Sequence, residues 1–184
     1  MPTLVQYSQP ALLHDIWTEL ENAIGDRAHS WRTPVMASID TQGLPQARTL
    51  VLRELDKGQW RLSAYTDHRS PKVAQLHHHP YASLVFWSSA LKWQLRISAR
   101  VAMQTQGERV DALWQTLKQT SAASDYLAGN PPGSTLANAE TASAKSHALG
   151  ILDFYVLEMD WLALNAQGHK RARLDRERIE WLVP

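Results

Sequence analysis

The sequence predicts a mainly β fold with flanking helices (α+β), in which short antiparallel strands close into a barrel. Many strand-like runs are spread along the 184 residues, against few helix-like segments. Two successive hairpin turns lie at residues 41–43 and 56–58, so the first three strands form an antiparallel sheet. Closure into a barrel is favoured because it removes exposed sheet edges. The length suits one domain, spanning residues 1–184.

The first part of the chain predicts one helix followed by three strands. Pro10 suits the first turn of a helix over residues 8–26, after Ser8 or Gln9, and Gly25 suits its end. The apolar residues of this helix recur at spacings of three and four, at Leu13, Ile16, Leu20 and Ile24. Alternating or apolar runs predict the three strands that follow, over residues 34–40, 46–56 and 60–65.

A second, shorter helix is predicted over residues 70–78. Ser70 suits its N-cap, Pro71 its first position, and Pro80 stands beyond its end. The elements that follow are two strands and a helix, over residues 81–87, 93–103 and 107–118.

The C-terminal third begins with a loop and ends with strands. Residues 121–146 are rich in Ala, Ser, Asn, Gly and Pro, which predicts an irregular segment with some helix over 136–145. Such a segment either covers a ligand or serves as a solvated connector. The remaining strands are predicted over residues 151–164, 170–174 and 179–183.

Composition narrows the classes of function. A formal net charge of +1 argues against a nucleic-acid-binding barrel, although exposed aromatic residues on small barrels can bind single strands. The absence of cysteine excludes disulfides, thiolate catalysis and zinc-thiolate sites, and it fits a reducing cytoplasm. We recognise no signal peptide and no run of ~20 apolar residues, so we expect a cytoplasmic protein with no membrane partner.

Ser70, Lys72 and Arg48 form a candidate anion site. The amides at a helix start bind phosphate well, and Lys72 adds a positive charge within the first turn. Taken alone, Ser70 and Lys72 are better explained by simple capping beside a solvated lysine. Arg48, on a neighbouring strand, favours the anion site because cations that converge from separate elements are unusual without an anion. Arg48 and Arg53 are five residues apart, which places them on opposite faces of a regular strand.

Three motifs resemble those of a known family. Arg48-Thr49-Leu50-Val51-Leu52, the turn from Tyr65-Thr66 to Ser70 and Lys72, and Gln94-Leu95-Arg96 occur in the family's order. They are similar to the motifs of the pyridoxamine 5′-phosphate oxidase-like FMN-binding split barrels, and the resemblance extends over about residues 17–184. It implies a six-stranded antiparallel split barrel of the FMN-binding type. It also implies a homodimer with FMN at the subunit interface.

The resemblance assigns roles to individual residues. Those implied to bind the cofactor are Arg48, Thr49, Leu50, Val51, Leu52, Tyr65, Thr66, Ser70, Lys72, Gln94, Trp161 and Arg171. Gln94, Trp161 and Arg171 are expected to come from the second subunit. Arg53 and Lys118 are expected to bind the substrate, and His169 is the expected catalytic contact with it.

Three functions follow from these assignments. The first is an FMN-dependent oxidoreductase of unknown substrate. The second is a true pyridoxamine 5′-phosphate oxidase, against which Gln167 argues, because those oxidases carry arginine two positions before the histidine. The third is a non-catalytic flavin-binding carrier or sensor.

A metal site is not predicted. Three consecutive histidines, His77 to His79, end the second predicted helix. Consecutive helical side chains point about 100° apart, so these imidazoles cannot easily share one ion.

Overall fold

The computed structural model describes residues 9–127, 129–135 and 146–184, which form a sheet with helices around it. The predicted cap at Ser8 and the predicted helix over 136–145 lie outside these residues. The helices are α1 Gln9–Gly25, α2 Pro71–His78 and α3 Glu108–Leu117, with 3₁₀ turns at Ser30–Arg32 and Ser121–Tyr126. The strands are β1 Val35–Ile39, β2 Pro45–Thr49, β3 Leu52–Asp56, β4 Arg61–Asp67, β5 Tyr81–Ser88, β6 Trp93–Gln104, β7 Leu149–Ala163, β8 Lys170–Leu174 and β9 Ile179–Leu182.

The sheet has the connectivity of a split antiparallel barrel. Its strand order is β2-β1-β5-β6-β7-β4-β3, and the hairpin β8–β9 continues from β7. The two ends of this order, β2 and β3, are consecutive in the chain and are joined only by Leu50 and Val51. The predicted fold class is confirmed. The structure has nine strands where six were expected. The segment 46–56 is divided into β2 and β3, and the hairpin β8–β9 extends the sheet.

The prediction of one continuous strand over residues 46–56 is wrong. β2 pairs with β1, whereas β3 pairs with β4 at the opposite end of the sheet, so the chain must change partner between them. Leu50 donates its backbone N–H to the carbonyl of Pro34 at 3.0 Å, which marks the crossing. No glycine or proline stands at this point, so the apolar run Leu50 to Leu52 has the pattern of an unbroken strand.

Four of the eight tryptophans are buried in the core. Helix α1 buries Leu12, Ile16 and Leu20, and it packs against β3. Trp31 is fully buried, with its ring centroid 5.6 Å from that of Phe86. A second cluster holds Val110, Tyr126, Leu149 and Ile151, with Tyr65 packed against it. Among the described residues, no helix is both long and apolar enough to cross a membrane.

One outer face of the sheet is apolar and exposed. In β1 the alternation buries Met36 and Ser38, so Val35 and Ile39 point outward. Leu157 is an extra residue of β7 at a bulge opposite Ser98 and Ala99, and it is exposed on the same side. The large apolar residues of the outer face, all between 38% and 58% exposed, are Val35, Ile39, Tyr81, Trp87 and Leu157. We call these five residues the outer patch.

Candidate functional site

Lys72 lies at the start of α2, between two hydroxyl groups. Its Nζ donates to Thr66 Oγ1 at 2.9 Å and to Ser70 Oγ at 2.8 Å. Ser70 occupies the N-cap position that the sequence predicts, but its side chain makes no capping bond and donates instead to the carbonyl of Asp67 at 2.8 Å. An ammonium group has three N–H donors, so one donor of Lys72 remains for a ligand.

Arg48 lies beside Lys72 and binds neutral partners. Its Nη1 donates to Ser38 Oγ at 2.6 Å, and its Nη2 donates to Gln75 Oε1 at 2.8 Å. Gln75 lies three residues after Lys72 on α2, so one helix face serves both cations. The cluster Arg48, Thr66, Ser70 and Lys72 is named the cationic pocket below.

The charges of the cationic pocket are not balanced by a carboxylate. Over the described ranges, neither Arg48 nor Lys72 forms an ion pair with an acidic residue. Burial and the positive charge of Arg48 lower the pKa of Lys72, and burial lowers the pKa of Arg48. The negative charge of Asp67 acts to raise the pKa of Lys72 but does not outweigh these two effects. A bound anion would add compensation for both cations.

Asp67 is close to this cluster but is occupied by another cation. Its carboxylate accepts from Arg69 Nε at 3.0 Å, from Arg69 Nη2 at 2.6 Å and from the Arg69 backbone N–H at 2.8 Å. Burial acts to raise the pKa of Asp67, but these hydrogen bonds outweigh it and the pKa is lowered. Asp67 is therefore an anion that Arg69 already satisfies.

A cavity of about 350 Å³ opens beside the cationic pocket. The crossing between β2 and β3 forms one wall, and the end of β4 forms another. The residues of the predicted cofactor and substrate sets that line the cavity are Thr49, Leu50, Val51, Arg53, Tyr65, Thr66 and Lys72. Leu52, also predicted to contact the cofactor, is buried in the core at 2% exposure. The division between β2 and β3 removes the regular alternation that predicted opposite faces for Arg48 and Arg53.

Part of the 121–146 segment covers this cavity. Asp125, Tyr126 and Pro132 line it, and Tyr126 is buried. The backbone carbonyl of Gly129 accepts from Arg69 Nη1 at 3.3 Å, which ties the segment to the turn after β4. The described part of this segment therefore forms part of the cavity wall, and its role as a ligand cover stays a prediction.

The predicted substrate cations are in different places. Arg53 lines the cavity, and its guanidinium carbon lies 5.8 Å from the centroid of the Tyr65 ring. Lys118 is exposed at the C-terminal cap of α3 and is not among the residues that line the cavity. Trp114, four residues earlier, packs its ring 4.5 Å from that of His147.

The remaining predicted residues lie toward the other end of β7. In β7, Gly150 is opposite Thr66 and Trp161 is opposite Leu95. At about 3.3 Å per residue, these two positions are separated by about 35 Å along the strand. Gln94 is the neighbour of Leu95 on β6, so it shares the distant end. None of Gln94, Trp161 and Arg171 is among the residues that line the cavity.

Arg171 is held by a carboxylate at this distant end. Its Nε and Nη2 donate to Asp160 at 3.0 and 2.8 Å, and Arg96 binds the same carboxylate. Burial acts to raise the pKa of Asp160, but the two arginines outweigh it and the pKa is lowered. Trp161 is 1% exposed and meets the ring of Trp93 edge to face at 5.2 Å.

His169 and Gln94 are more accessible. His169 is exposed in the turn before β8, where its Nδ1 accepts from the backbone N–H of Asn165 at 3.2 Å. Gln94 is half-buried between Trp87 on β5 and Leu162 on β7. No group of three or more potential metal ligands occurs in the part of the chain that the structure describes.

An antiparallel split barrel with a cationic pocket beside a cavity defines the class of this protein. Residues 14–105, which are 92 of the 184 residues, match the family model described as pyridoxamine 5′-phosphate oxidase, FMN-binding domain. The chain belongs to this family. All the residues of the cationic pocket fall inside the matched range.

Relatives with known names share parts of the chain. The pyridoxine/pyridoxamine 5′-phosphate oxidase of a Cyanothece species is 29% identical over 164 residues, which are 88% of this chain and 67% of that protein. The protein of the same name from Chromohalobacter salexigens is 46% identical over 67 residues, 36% of this chain. The matches to the Chromohalobacter salexigens and Myxococcus xanthus relatives span only 30% and 38% of the length of those proteins.

Solved structures share the fold. A pyridoxamine 5′-phosphate oxidase-related, FMN-binding protein from Nostoc punctiforme superposes with a TM-score of 0.73 at 21% identity, over 93% of this chain and 96% of that one. PhzG from Burkholderia lata, in complex with tetrahydrophenazine-1-carboxylic acid, also reaches 0.73, at 18% identity over 98% and 95%. At these identities the likeness shows the fold alone.

Several residues of the site were not predicted from the sequence. Ser38 and Gln75 bind Arg48, while Asp125 and Tyr126 line the cavity. The spacing of Gln75 from Lys72 is a signal that could have placed it on the same helix face. The others are brought to the site by strand pairing and by the path of an irregular segment, for which a single sequence has no pattern.

The Asp160 carboxylate predicts a pH-dependent effect on stability. Because its folded-state pKa lies below its unfolded value of ~3.9, its stabilisation is complete above that pH and is lost as the pH falls through the folded pKa. We expect Asp160→Asn to lower the free energy of unfolding at pH 7 by about 1–2 kcal/mol, a discounted value because both arginines are partly exposed. Urea denaturation at several pH values measures this, and a difference that stays constant down to pH ~3 would contradict it.

Proposed function

We propose that this protein is an FMN-binding flavoprotein that acts as an oxidoreductase. The observation that carries the proposal is the pair of partly buried cations, Arg48 and Lys72. They form no ion pair with a carboxylate of the described residues, and they lie beside the cavity. Such a pair suits a dianionic phosphate, which accepts charge-assisted hydrogen bonds from both. The family match, whose model describes an FMN-binding domain, supports the same cofactor.

The residues fit the separate parts of this cofactor. Arg48, Ser70 and Lys72 would hold the phosphate, with Thr66 beside it. The crossing at Thr49, Leu50 and Val51, followed by Leu52, would lie along the ring system, where backbone groups can approach a flat ligand closely. Tyr65 would border the chain between phosphate and ring. Bound FMN would supply hydride or electron transfer, which no side chain of this protein can perform alone.

A second copy of the chain would complete the site. Gln94, Trp161 and Arg171 do not line the cavity, so we expect them to contact the ligand from the second subunit of a homodimer. The outer patch supports this arrangement, since five large apolar residues on one sheet face are typical of a surface covered by a partner. In this arrangement Arg171 retains free N–H donors at Nη1, because Asp160 occupies its Nε and Nη2.

The substrate contacts are proposed at the open side of the cavity. Arg53 has no carboxylate partner among the described residues and would attract an anionic group of the substrate. His169 of the second copy would contact the substrate, and a histidine can exchange a proton near neutral pH. Lys118, on the surface after α3, would take part only if a substrate extends beyond the cavity.

The first expected outcome concerns the cofactor. Purified protein should show an oxidised-flavin spectrum, and the released ligand should have the mass of FMN. Lys72→Ala and Arg48→Ala should each weaken FMN binding by roughly 10- to 100-fold, since each removes charge-assisted hydrogen bonds to the phosphate.

Fluorescence quenching of added FMN measures these affinities. Lys57→Ala is the matched control, because Lys57 is a surface lysine paired with Glu21 and should leave the affinity unchanged. Colourless wild-type protein that takes up no FMN would refute the proposal.

A second expected outcome concerns the shared site. Lys72→Ala and Arg171→Ala damage different halves of it, so each homodimer should bind FMN weakly. When the two variants are mixed and allowed to exchange subunits, every mixed dimer contains one site that is intact in both halves. About one site in four should then recover wild-type affinity. No recovery after proven exchange would show that Arg171 does not act across the interface.

A third expected outcome separates the functions. With pyridoxamine 5′-phosphate and oxygen, the FMN-loaded protein should form no pyridoxal 5′-phosphate, because Gln167 stands where the oxidases carry arginine. Formation of that product would establish the true oxidase instead. A screen of reduced nicotinamide donors and small-molecule acceptors should reveal a turnover that His169→Ala lowers. If no donor is oxidised and His169→Ala changes nothing, the protein is a flavin carrier or sensor.

A further inference from the structure

A buried carboxylate, Asp153, begins a chain of hydrogen bonds that ends at the cavity. Asp153 lies on β7 with no exposed surface. It accepts from Ser63 Oγ at 2.6 Å, from Gln104 Nε2 at 2.7 Å and from Arg109 Nη1 at 2.6 Å. A buried carboxylate with three close donors is a fixed anchor, because breaking any of these bonds leaves charge uncompensated.

Arg109 connects this anchor to a second carboxylate. Its Nη1 binds Asp153, while its Nη2 donates to Glu54 Oε2 at 2.7 Å. Burial acts to lower the pKa of Arg109, but the hydrogen bonds and charges of Asp153 and Glu54 outweigh it, and the pKa is raised. The guanidinium therefore stays charged and holds Glu54 at a defined distance from the buried strand.

Tyr65 lines the cavity, and Glu54 in turn binds its hydroxyl group. Tyr65 donates its O–H to Glu54 Oε1 at 2.8 Å. Burial raises the pKa of Tyr65, and the hydrogen bond and negative charge of Glu54 raise it further. The phenol is thus neutral, with its only proton committed to Glu54. Arg53 lies over the ring of the same tyrosine.

We propose that Glu54 and Arg109 are positioning residues for the ligand cavity, acting through Tyr65. They hold the Tyr65 ring in a fixed position in the cavity wall. Because the hydroxyl proton of Tyr65 is donated to Glu54, a ligand can only donate to the phenolic oxygen or pack against the ring. This proposal rests on the proposed FMN site. Glu54 and Arg109 are outside the predicted cofactor set, and the hydrogen bond from Tyr65 to Glu54 links them to it.

Arg109 also lies close in the chain to a second residue of the cavity wall. Arg109 lies in the first turn of α3, and this helix leads into the 3₁₀ turn that carries Tyr126, another cavity wall. Tyr65 packs against the cluster that contains Tyr126 and Val110. The hydrogen bond from Arg109 to Asp153 therefore attaches α3 to the barrel. This attachment helps to hold both Tyr65 and Tyr126 in the cavity wall.

The test is a double-mutant cycle on FMN affinity. Glu54→Gln removes the charge that organises Arg109 and Tyr65, Tyr65→Phe removes the hydroxyl, and the double variant removes both. We expect each single variant to weaken FMN binding by roughly five- to tenfold. The double variant should bind FMN as tightly as the single variant that has the lower affinity. Glu21→Gln, at an exposed ion pair with Lys57, is the control and should bind FMN like the wild type.

Each outcome has a defined meaning. The positioning role would be overturned if the double variant lost affinity by the product of the two single losses. It would also be overturned if Glu54→Gln bound FMN like the wild type. Either result would leave the proposed FMN site intact. Wild-type protein that binds no FMN would overturn both proposals. If Glu54→Gln does not fold, Arg109→Lys replaces it in the cycle, since lysine keeps a cation beside Asp153 but cannot grip both carboxylates. It should show the same dependence on the Tyr65 hydroxyl.

Discussion

The fold depends on one constraint: two strands that follow each other in the chain pair with opposite ends of the sheet. β2 and β3 are separated only by Leu50 and Val51, yet β2 joins β1 and β3 joins β4. A sheet with this connectivity must curve until its ends meet, which makes a barrel rather than an open sheet. At the crossing the backbone leaves the regular ladder, and the cavity lies at this point.

The barrel places the positive charges of Arg48 and Lys72 beside the cavity. β2 presents Arg48 toward α2, and the turn after β4 starts that helix, so Arg48 and Lys72 meet without either being in a long irregular loop. Their neutral partners, two serines, a threonine and a glutamine, fix the side chains without cancelling the charge. A site built in this way is organised before its ligand arrives, which reduces the entropy lost on binding.

The sequence predicted the strands, the helices and the cationic pocket, and it failed at particular points for physical reasons. The break at Leu50 was missed because the residues there are all compatible with a strand, and only the pairing partners reveal the change. In β1, alternation places Val35 and Ile39 on one face of the strand, but it cannot tell which face is buried. Glu54, Arg109 and Asp153 are distant in sequence and have no motif. The register of β3, β4 and β7 brings Glu54 and Asp153 to either side of Ser63, and the packing of α3 adds Arg109.

The exposed outer patch has a consequence for how the protein behaves on dilution. If the proposed dimer carries its ligand between two copies, then subunit association and ligand binding are linked equilibria, and each strengthens the other by mass action. Occupancy would then depend on the concentration of protein as well as on that of the ligand. A cell could release the cofactor by lowering the amount of this protein, and the freed monomers would expose Tyr81, Trp87 and Leu157 to other surfaces.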